Sequence, residues 1–254
     1  MKKCQLAAQL YTLRDFIKTP EDIAKTLPKV KAIGYDAIQV SGMGPIPEDE
    51  LVKIATDNGL TICATHEPGK KIFEETEAVI ERLHKLNCRY TAYPFPHIIP
   101  GSKSEVLDMA GRLNDAALKM QKAGITLCYH NHAIEFERFE GELMLDLIYK
   151  HAPALQAEID TFWIQVGGND PVEWIKRFPG RQPLLHLKEY GIRKNERKML
   201  AIGNGNLNWP EIIAAGQACN VEYFIVEQDD CNGVDPFEEL HRSYNFIAEN
   251  FFEL

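Results

Sequence analysis

Three features of this chain predict a single (β/α)8 barrel, an α/β fold occupying residues 1–254 as one domain. Strand-like and helical runs alternate from end to end. Eight of each can be counted, with no linker or low-complexity segment between them. Three helical runs also close on a glycine that a strand follows at once, in Ile33-Gly34-Tyr35, Asn58-Gly59-Leu60 and Ala123-Gly124-Ile125. Strict alternation argues for a parallel sheet, and eight units in about this length fit a closed barrel. An open doubly wound sheet would carry a glycine-rich phosphate loop after its first strand. The glycines of Gly203-Asn204-Gly205-Asn206 come too late for that.

The elements follow in order. Strands are expected over 4–11, 36–41, 60–66, 89–93, 125–131, 156–160, 183–188 and 222–228. Helices are expected near 20–33, 47–58, 72–86, 103–123, 141–151, 171–178, 209–219 and 235–251. The first helix opens with Thr19-Pro20-Glu21-Asp22 and the sixth with Asp170-Pro171-Val172-Glu173. Each places a capping side chain, a first-turn proline and acidic residues where the unpaired amides and the positive end of the helix dipole favour them. Gly34, Gly59 and Gly124 can take the left-handed conformation that ends a helix.

Composition narrows the class of partner. The chain is 45% hydrophobic and 26% charged with a net charge of −9, ordinary for a globular protein and unfavourable for a nucleic-acid polyanion. No apolar run approaches the ~18–20 residues that span a bilayer, and the N-terminus carries no signal-peptide core. Six dispersed cysteines without a C-x-x-C pair fit reduced thiols in the cytoplasm, with Cys63 and Cys128 buried as small hydrophobes. Nothing fixes the oligomeric state; a homo-oligomer is compatible with the sequence.

In a barrel of this kind, functional groups sit at the C-terminal ends of the strands. Those ends are polar here, although strands buried on both faces should read as apolar runs. Strand five ends Tyr129-His130-Asn131-His132, and strand alternation turns both imidazoles the same way. Strand six ends Glu158-Ile159-Asp160, strand seven His186-Leu187-Lys188-Glu189, and strand eight Glu227-Gln228-Asp229. Asp160, His186 and Glu227 form a mixed nitrogen and oxygen set suited to one divalent transition metal, which His130 can complete. Imidazole ligands favour Mn, Zn or Co over Mg. His84, His97, His151 and His241 fall on helices or loops and are expected at the surface.

These strand ends, with Gln9-Leu10-Tyr11-Thr12-Leu13-Arg14 at the start, Tyr129 to Phe136, Ile159 to Trp163, Gly203-Asn204-Gly205 and Val226-Glu227-Gln228-Asp229, resemble the sugar phosphate isomerase/epimerase family, the xylose isomerase-like TIM barrels. The resemblance covers nearly the whole chain. Ketose 3-epimerases of this superfamily bind one divalent ion through Glu, Asp, His and Glu, and the two glutamates shuttle the proton. By position, Asp160, His186 and Glu227 match the last three ligands, and the first glutamate falls on His130. Trp163 stands where those epimerases carry a substrate-binding histidine, and Arg193 lies one residue beyond their usual arginine. Endonuclease IV, in the same superfamily, needs three metals and a DNA-binding face; the acidic charge and Trp163 argue against it.

The implied activity is that of a metal-dependent sugar isomerase or epimerase working through an enediolate. The expected catalytic groups are Glu227, His130, His132 and Lys188, and the expected metal ligands are His130, Asp160, His186 and Glu227. Gln9, Tyr11, Arg14, His66, Trp163 and Glu158 are expected around the sugar, with Glu158 also placed to orient a metal ligand. Lys188 either stabilises the enediolate or binds a substrate anion, or it pairs with Glu158 or Glu189. A lyase on a keto-sugar or keto-inositol is the alternative that His130 favours, and a non-catalytic sugar-binding barrel is the third.

Overall fold

The computed structural model describes residues 1–253. Its centre is a closed, all-parallel barrel of eight strands: β1 (Leu6–Gln9), β2 (Ala37–Val40), β3 (Thr61–His66), β4 (Tyr90–Tyr93), β5 (Thr126–His130), β6 (Gln156–Asp160), β7 (Leu184–Leu187) and β8 (Tyr223–Val226). Each strand pairs with its chain neighbours, and β8 closes on β1 with Ala7 opposite Ile225. The predicted (β/α)8 architecture is therefore what the chain adopts.

Ten α-helices are found among the described residues. They are α1 (Pro20–Ile33), α2 (Glu48–Asp57), α3 (Gly69–Glu74), α4 (Thr76–Lys85), α5 (Lys103–Lys122), α6 (Met144–His151), α7 (Thr161–Val166), α8 (Pro171–Lys176), α9 (Trp209–Ala218) and α10 (Pro236–Phe251). The Thr19 side chain accepts from the Asp22 amide and that of Asp170 from Val172 and Glu173, so both expected caps form. Gly34, Gly59 and Gly124 have φ of +129°, +64° and +77°, which only glycine adopts freely.

Several boundaries differ from expectation. The first strand stops at Gln9, because residues 10–16 coil into a 3-10 helix that carries Tyr11 and Arg14 over the barrel mouth. The helix expected at 72–86 is two helices, broken at Glu75 (φ −131°, ψ 36°). Two antiparallel hairpins were not anticipated, Arg138–Phe139 with Glu142–Leu143 and Glu189–Arg193 with Glu196–Leu200. The second turns at Lys194 and Asn195, both at positive φ.

The apolar core has two layers. The larger one lies between strands and helices. The smaller fills the lower barrel interior with compact side chains such as Ala7, Ala37, Ala64, Ala92 and Cys128. Above it the inward positions turn polar: Gln9 stands level with Gln39, His130 with Glu158, and Asp160 with His186. A register shift between Ile38 and Gln39 interrupts the pairing of β2 with β3 just below this layer, a usual place for a bulge beside a functional site.

Candidate active site

Four strand ends converge on one buried point. Asp160 closes β6 and caps α7, its Oδ1 accepting from the Trp163 amide at 3.0 Å. Its other oxygen, Oδ2, is buried with no hydrogen-bond partner, 3.8 Å from His186 Nδ1. Glu227 follows β8 and brings Oε2 to 3.0 Å from the same nitrogen. His130 ends β5, and its Nδ1 is likewise buried and unpartnered. One ligand atom from each of His130, Asp160, His186 and Glu227 lies within 4.8 Å of the others.

Beneath this group runs a polar support. Glu158 places Oε1 2.9 Å from His186 Nε2 and Oε2 2.9 Å from His66 Nε2, and it accepts from the Gln39 amide at 2.6 Å. Gln39 in turn accepts from Gln9 at 2.8 Å. His66 and Gln39 hydrogen-bond this buried carboxylate, while His186 Nε2 makes its hydrogen bond to the Gln39 side-chain oxygen at 2.7 Å with Glu158 alongside as counter-charge. His186 thus presents Nε2 to Glu158 and turns Nδ1 toward Asp160 and Glu227, the orientation in which a ligating histidine hands its second nitrogen to a carboxylate.

Charge sorts these groups into distinct states. Burial opposes ionisation of His186, yet Glu158 and Glu227 outweigh it and lift the imidazole to about 10. Burial is also outweighed at Glu158, whose carboxyl is held at about 2 by His186 and His66. Lys188 and His186 likewise hold Glu227 well below the carboxylate range against its burial. At Asp160 burial prevails over Lys188 and His186, and the carboxyl rises to about 7. His130 and His132 are pushed the other way, mainly by burial and then by neighbouring cations: His130 falls well below its ordinary value and His132 to about 3. Both imidazoles are therefore neutral, with a lone pair to offer a metal or a proton.

Lys188 is buried among carboxylates, with Nζ 2.9 Å from Glu227, 2.7 Å from Asp229 and 3.6 Å from Asp160. Its ammonium also lies 5.4 Å from the Trp163 ring. These are not the partners expected for it. Glu158 is occupied by the two imidazoles, and Glu189 accepts from the Gly203 and Leu207 amides and the Trp209 indole. Glu189 thereby holds the Gly203–Leu207 turn, which gives the Gly203-Asn204-Gly205 motif a structural role.

Above the charged floor opens a cavity of 400 Å³, lined by Tyr11, Arg14, His66, His132, Lys188 and Glu227 among others. Arg14 stacks 4.5 Å from the Tyr11 ring centre and donates to the Asp229 carbonyl. Trp163 stands 5.1 Å from the His132 ring. His132 lies beyond the strand, its amide held by Glu135 at 2.7 Å, and Tyr129 donates to the same carboxylate. Gln9 and Glu158, expected beside the sugar, lie beneath this cavity instead, since both are fully buried and engaged by other side chains. His84, His97, His151 and His241 are exposed as expected.

Three contributors escaped the sequence reading. In the sequence Asp229 stands out only as a polar strand end, yet it makes the shortest contact to Lys188. Phe95, edge-on to His132 at 5.1 Å, and Ser41 also line the cavity. Phe95 follows the strand-ending Tyr93-Pro94, and that position was its only signal.

A closed parallel barrel with a buried imidazole–carboxylate cluster at its C-terminal mouth has the arrangement that barrel enzymes use for chemistry at their strand ends. The chain is a member of the xylose isomerase-like TIM barrel family, whose model matches residues 27–247. No curated protein matches it. Among solved structures, a sugar phosphate isomerase/epimerase from Parabacteroides distasonis is 26% identical, with a TM-score of 0.84 over 97% of this chain and 98% of that one. An L-ribulose 3-epimerase is similar at 16% identity and TM-score 0.75, over 98% and 94%. A Bacillus anthracis protein described as the probable 3-DHS dehydratase of petrobactin synthesis is similar at 14% and 0.73, over 99% and 100%. No helix among the described residues is long and apolar enough to cross a membrane.

Proposed function

We propose that this chain is a divalent-metal enzyme that moves protons beside the carbonyl of a sugar, as an isomerase or epimerase. The observation that carries the proposal is the meeting of His130, Asp160, His186 and Glu227 within 4.8 Å, with Asp160 Oδ2 and His130 Nδ1 buried and unpartnered. Asp160 Oδ2 has the Lys188 ammonium only at 3.6 Å, beyond hydrogen-bond reach, and a buried carboxylate oxygen beside a neutral imidazole is costly unless a nearer partner completes it, so the residues fit the group. Two imidazoles and two carboxylates favour Mn, Zn or Co over Mg. The ion, when bound, would polarise a sugar carbonyl and its neighbouring hydroxyl.

The chain's own residues account for the remaining work. Glu227, charged and at the cavity floor, is the base that removes the proton beside the carbonyl. His132, neutral and in the cavity wall, accepts or returns a proton on the other side. Return to the opposite face gives an epimer, and return to the neighbouring carbon gives an isomer. Lys188 steadies negative charge that develops on the substrate oxygens. Trp163 and Tyr11 offer aromatic faces to a sugar ring, and His66 and Arg14 offer polar edges. Six unpaired cysteines suit a cytoplasmic location.

A lyase is the second reading, favoured by His130. With an imidazole at that position, Glu227 is the single carboxylate that both joins the metal group and lines the cavity. A departing hydroxyl could take its proton from His132. Proton exchange from a panel of ketoses in deuterated water, read with product mass, separates the two. Exchange without mass loss supports the isomerase or epimerase, and loss of water sinks it. Metal analysis of the purified protein tests both, because activity that survives complete chelation removes the ion from the mechanism.

A further inference from the structure

We infer that the substrate carries a second sugar ring, held in a groove next to the catalytic cavity; this rests on the sugar-active reading above and narrows its substrate class. The 400 Å³ cavity abuts a second cavity of 680 Å³, and the two share Ser41 and His66 as lining. His66 is the hinge of the arrangement. Its Nε2 meets Glu158 at 2.9 Å on the catalytic side, and its Nδ1 faces Ser41 Oγ at 3.4 Å.

The second cavity lies over the ends of β2 and β3, between the loop after β2 and α4. Its wall is set in place. The Gly44 amide donates to the Ile17 carbonyl at 2.9 Å, and a Cβ at Gly44 would fall 1.9 Å from the Lys18 carbonyl oxygen. Preformed, concave and several hundred Å³ in size, it has the attributes of a small-molecule site.

Its chemistry indicates the occupant. The lining holds three bases, Lys71, Arg82 and Lys85, against three acids, Glu48, Glu67 and Glu81. Arg82 is bound by both Glu48 and Glu67, and Lys85 lies 2.9 Å from Glu81. Of the three bases only Lys71 has no carboxylate against it; a phosphate would call for several such unengaged charges, and a purely apolar group for fewer polar edges. Balanced donors and acceptors interleaved with Met43, Ile46 and Ala78 suit a neutral polyhydroxylated ring, which has both hydroxyl edges and apolar faces. The keto-sugar would occupy the catalytic cavity and its glycosyl substituent would pass His66 into the groove.

The test uses the metal-loaded enzyme with fructose, fructose 6-phosphate, lactulose and maltulose, each followed by proton exchange in deuterated water. Ala78, exposed on α4, is replaced by Trp to fill the groove from the surface. The expected result is a kcat/KM for a disaccharide at least tenfold above that for fructose, with that ratio falling at least tenfold in Ala78→Trp. A preference for fructose or fructose 6-phosphate, or a ratio unmoved by the substitution, overturns the groove and leaves the isomerase reading standing. If no ketose exchanges, saturation-transfer NMR with maltulose decides. Saturation of the glucosyl ring that Ala78→Trp abolishes supports the groove while the isomerase reading falls; an unsaturated glucosyl ring overturns the groove.

Discussion

Glu158 on β6 and His186 on β7 stand 2.9 Å apart, carboxylate to Nε2, and that contact, with the Gln39 side-chain oxygen 2.7 Å from the same nitrogen, fixes which nitrogen of His186 faces Asp160 and Glu227. The imidazole cannot turn over without losing Glu158 on one side and Glu227 on the other. Orientation of the site is therefore held from below.

Replacing Glu158 by Gln should loosen that hold without vacating the space. Outer partners of ligating histidines typically contribute 10–100-fold to metal affinity. Titration calorimetry with Mn2+ or Zn2+ should show a loss of roughly that size. Unchanged affinity would mean that Glu158 serves packing alone.

Glu227→Gln keeps the shape of the proposed base and removes its basicity. General-base contributions are typically about 10²–10⁴-fold, so kcat for deuterium exchange should fall by that order. Metal content, measured on the same sample, separates loss of the base from loss of the ion. Retained exchange would take Glu227 out of the proton-transfer step.

Lys188→Met would leave Asp160, Glu227 and Asp229 facing one another without their shared cation. Removing one partner from a buried ionic group commonly costs about 3–5 kcal/mol. Urea unfolding of the chelated protein should show a loss of that order, recovered in part by added divalent metal. A variant as stable as the parent would show that the carboxylates take up protons instead.

Glu135 supplies a prediction independent of metal. Burial raises its carboxyl from an ordinary 4.5 to about 7, against the hydrogen bonds from His132 and Tyr129. Between those values the folded chain holds a proton that the unfolded chain has released, so stability falls as pH rises through this window and levels off above about 7. At 1.36 kcal/mol per unit the change is about 3 kcal/mol. Glu135→Gln cannot titrate. Its stability relative to the parent, from urea unfolding at pH 4 and pH 8, should improve by about that amount toward the alkaline end. A constant difference across the range would place the Glu135 titration outside this window.

The barrel was legible in the chain because its punctuation is local. Thr19 and Asp170 cap the helices they precede, and Gly34, Gly59 and Gly124 end the helices they follow, all through backbone preferences that need no tertiary partner. The convergence of His130, Asp160, His186 and Glu227 was legible for a related reason. Polar residues at strand ends of a closed barrel have one place to go. Contacts across the barrel were not legible. Nothing near Lys188 in sequence distinguishes Glu189, which turns away to the Trp209 indole, from Asp229, which meets the ammonium. The hairpin at Glu189–Leu200 was hidden because its turn relies on Lys194 and Asn195 at positive φ rather than on glycine. The early end of β1 at Gln9 was masked by Leu10 and Leu13, which are buried in a 3-10 helix as readily as in a strand.

Asp160 has one feature with a wider consequence. One of its oxygens starts α7 by accepting the Trp163 amide, and the other points, unpartnered, into the cluster. A single carboxylate therefore sets both the direction from which an ion would be approached and the place where the indole stands. Lengthening it by one carbon would displace both together. Change at this turn is therefore constrained: a different surface beside His132 has to come from exchanging the Trp163 indole itself, since moving the backbone that carries it would move Asp160 as well.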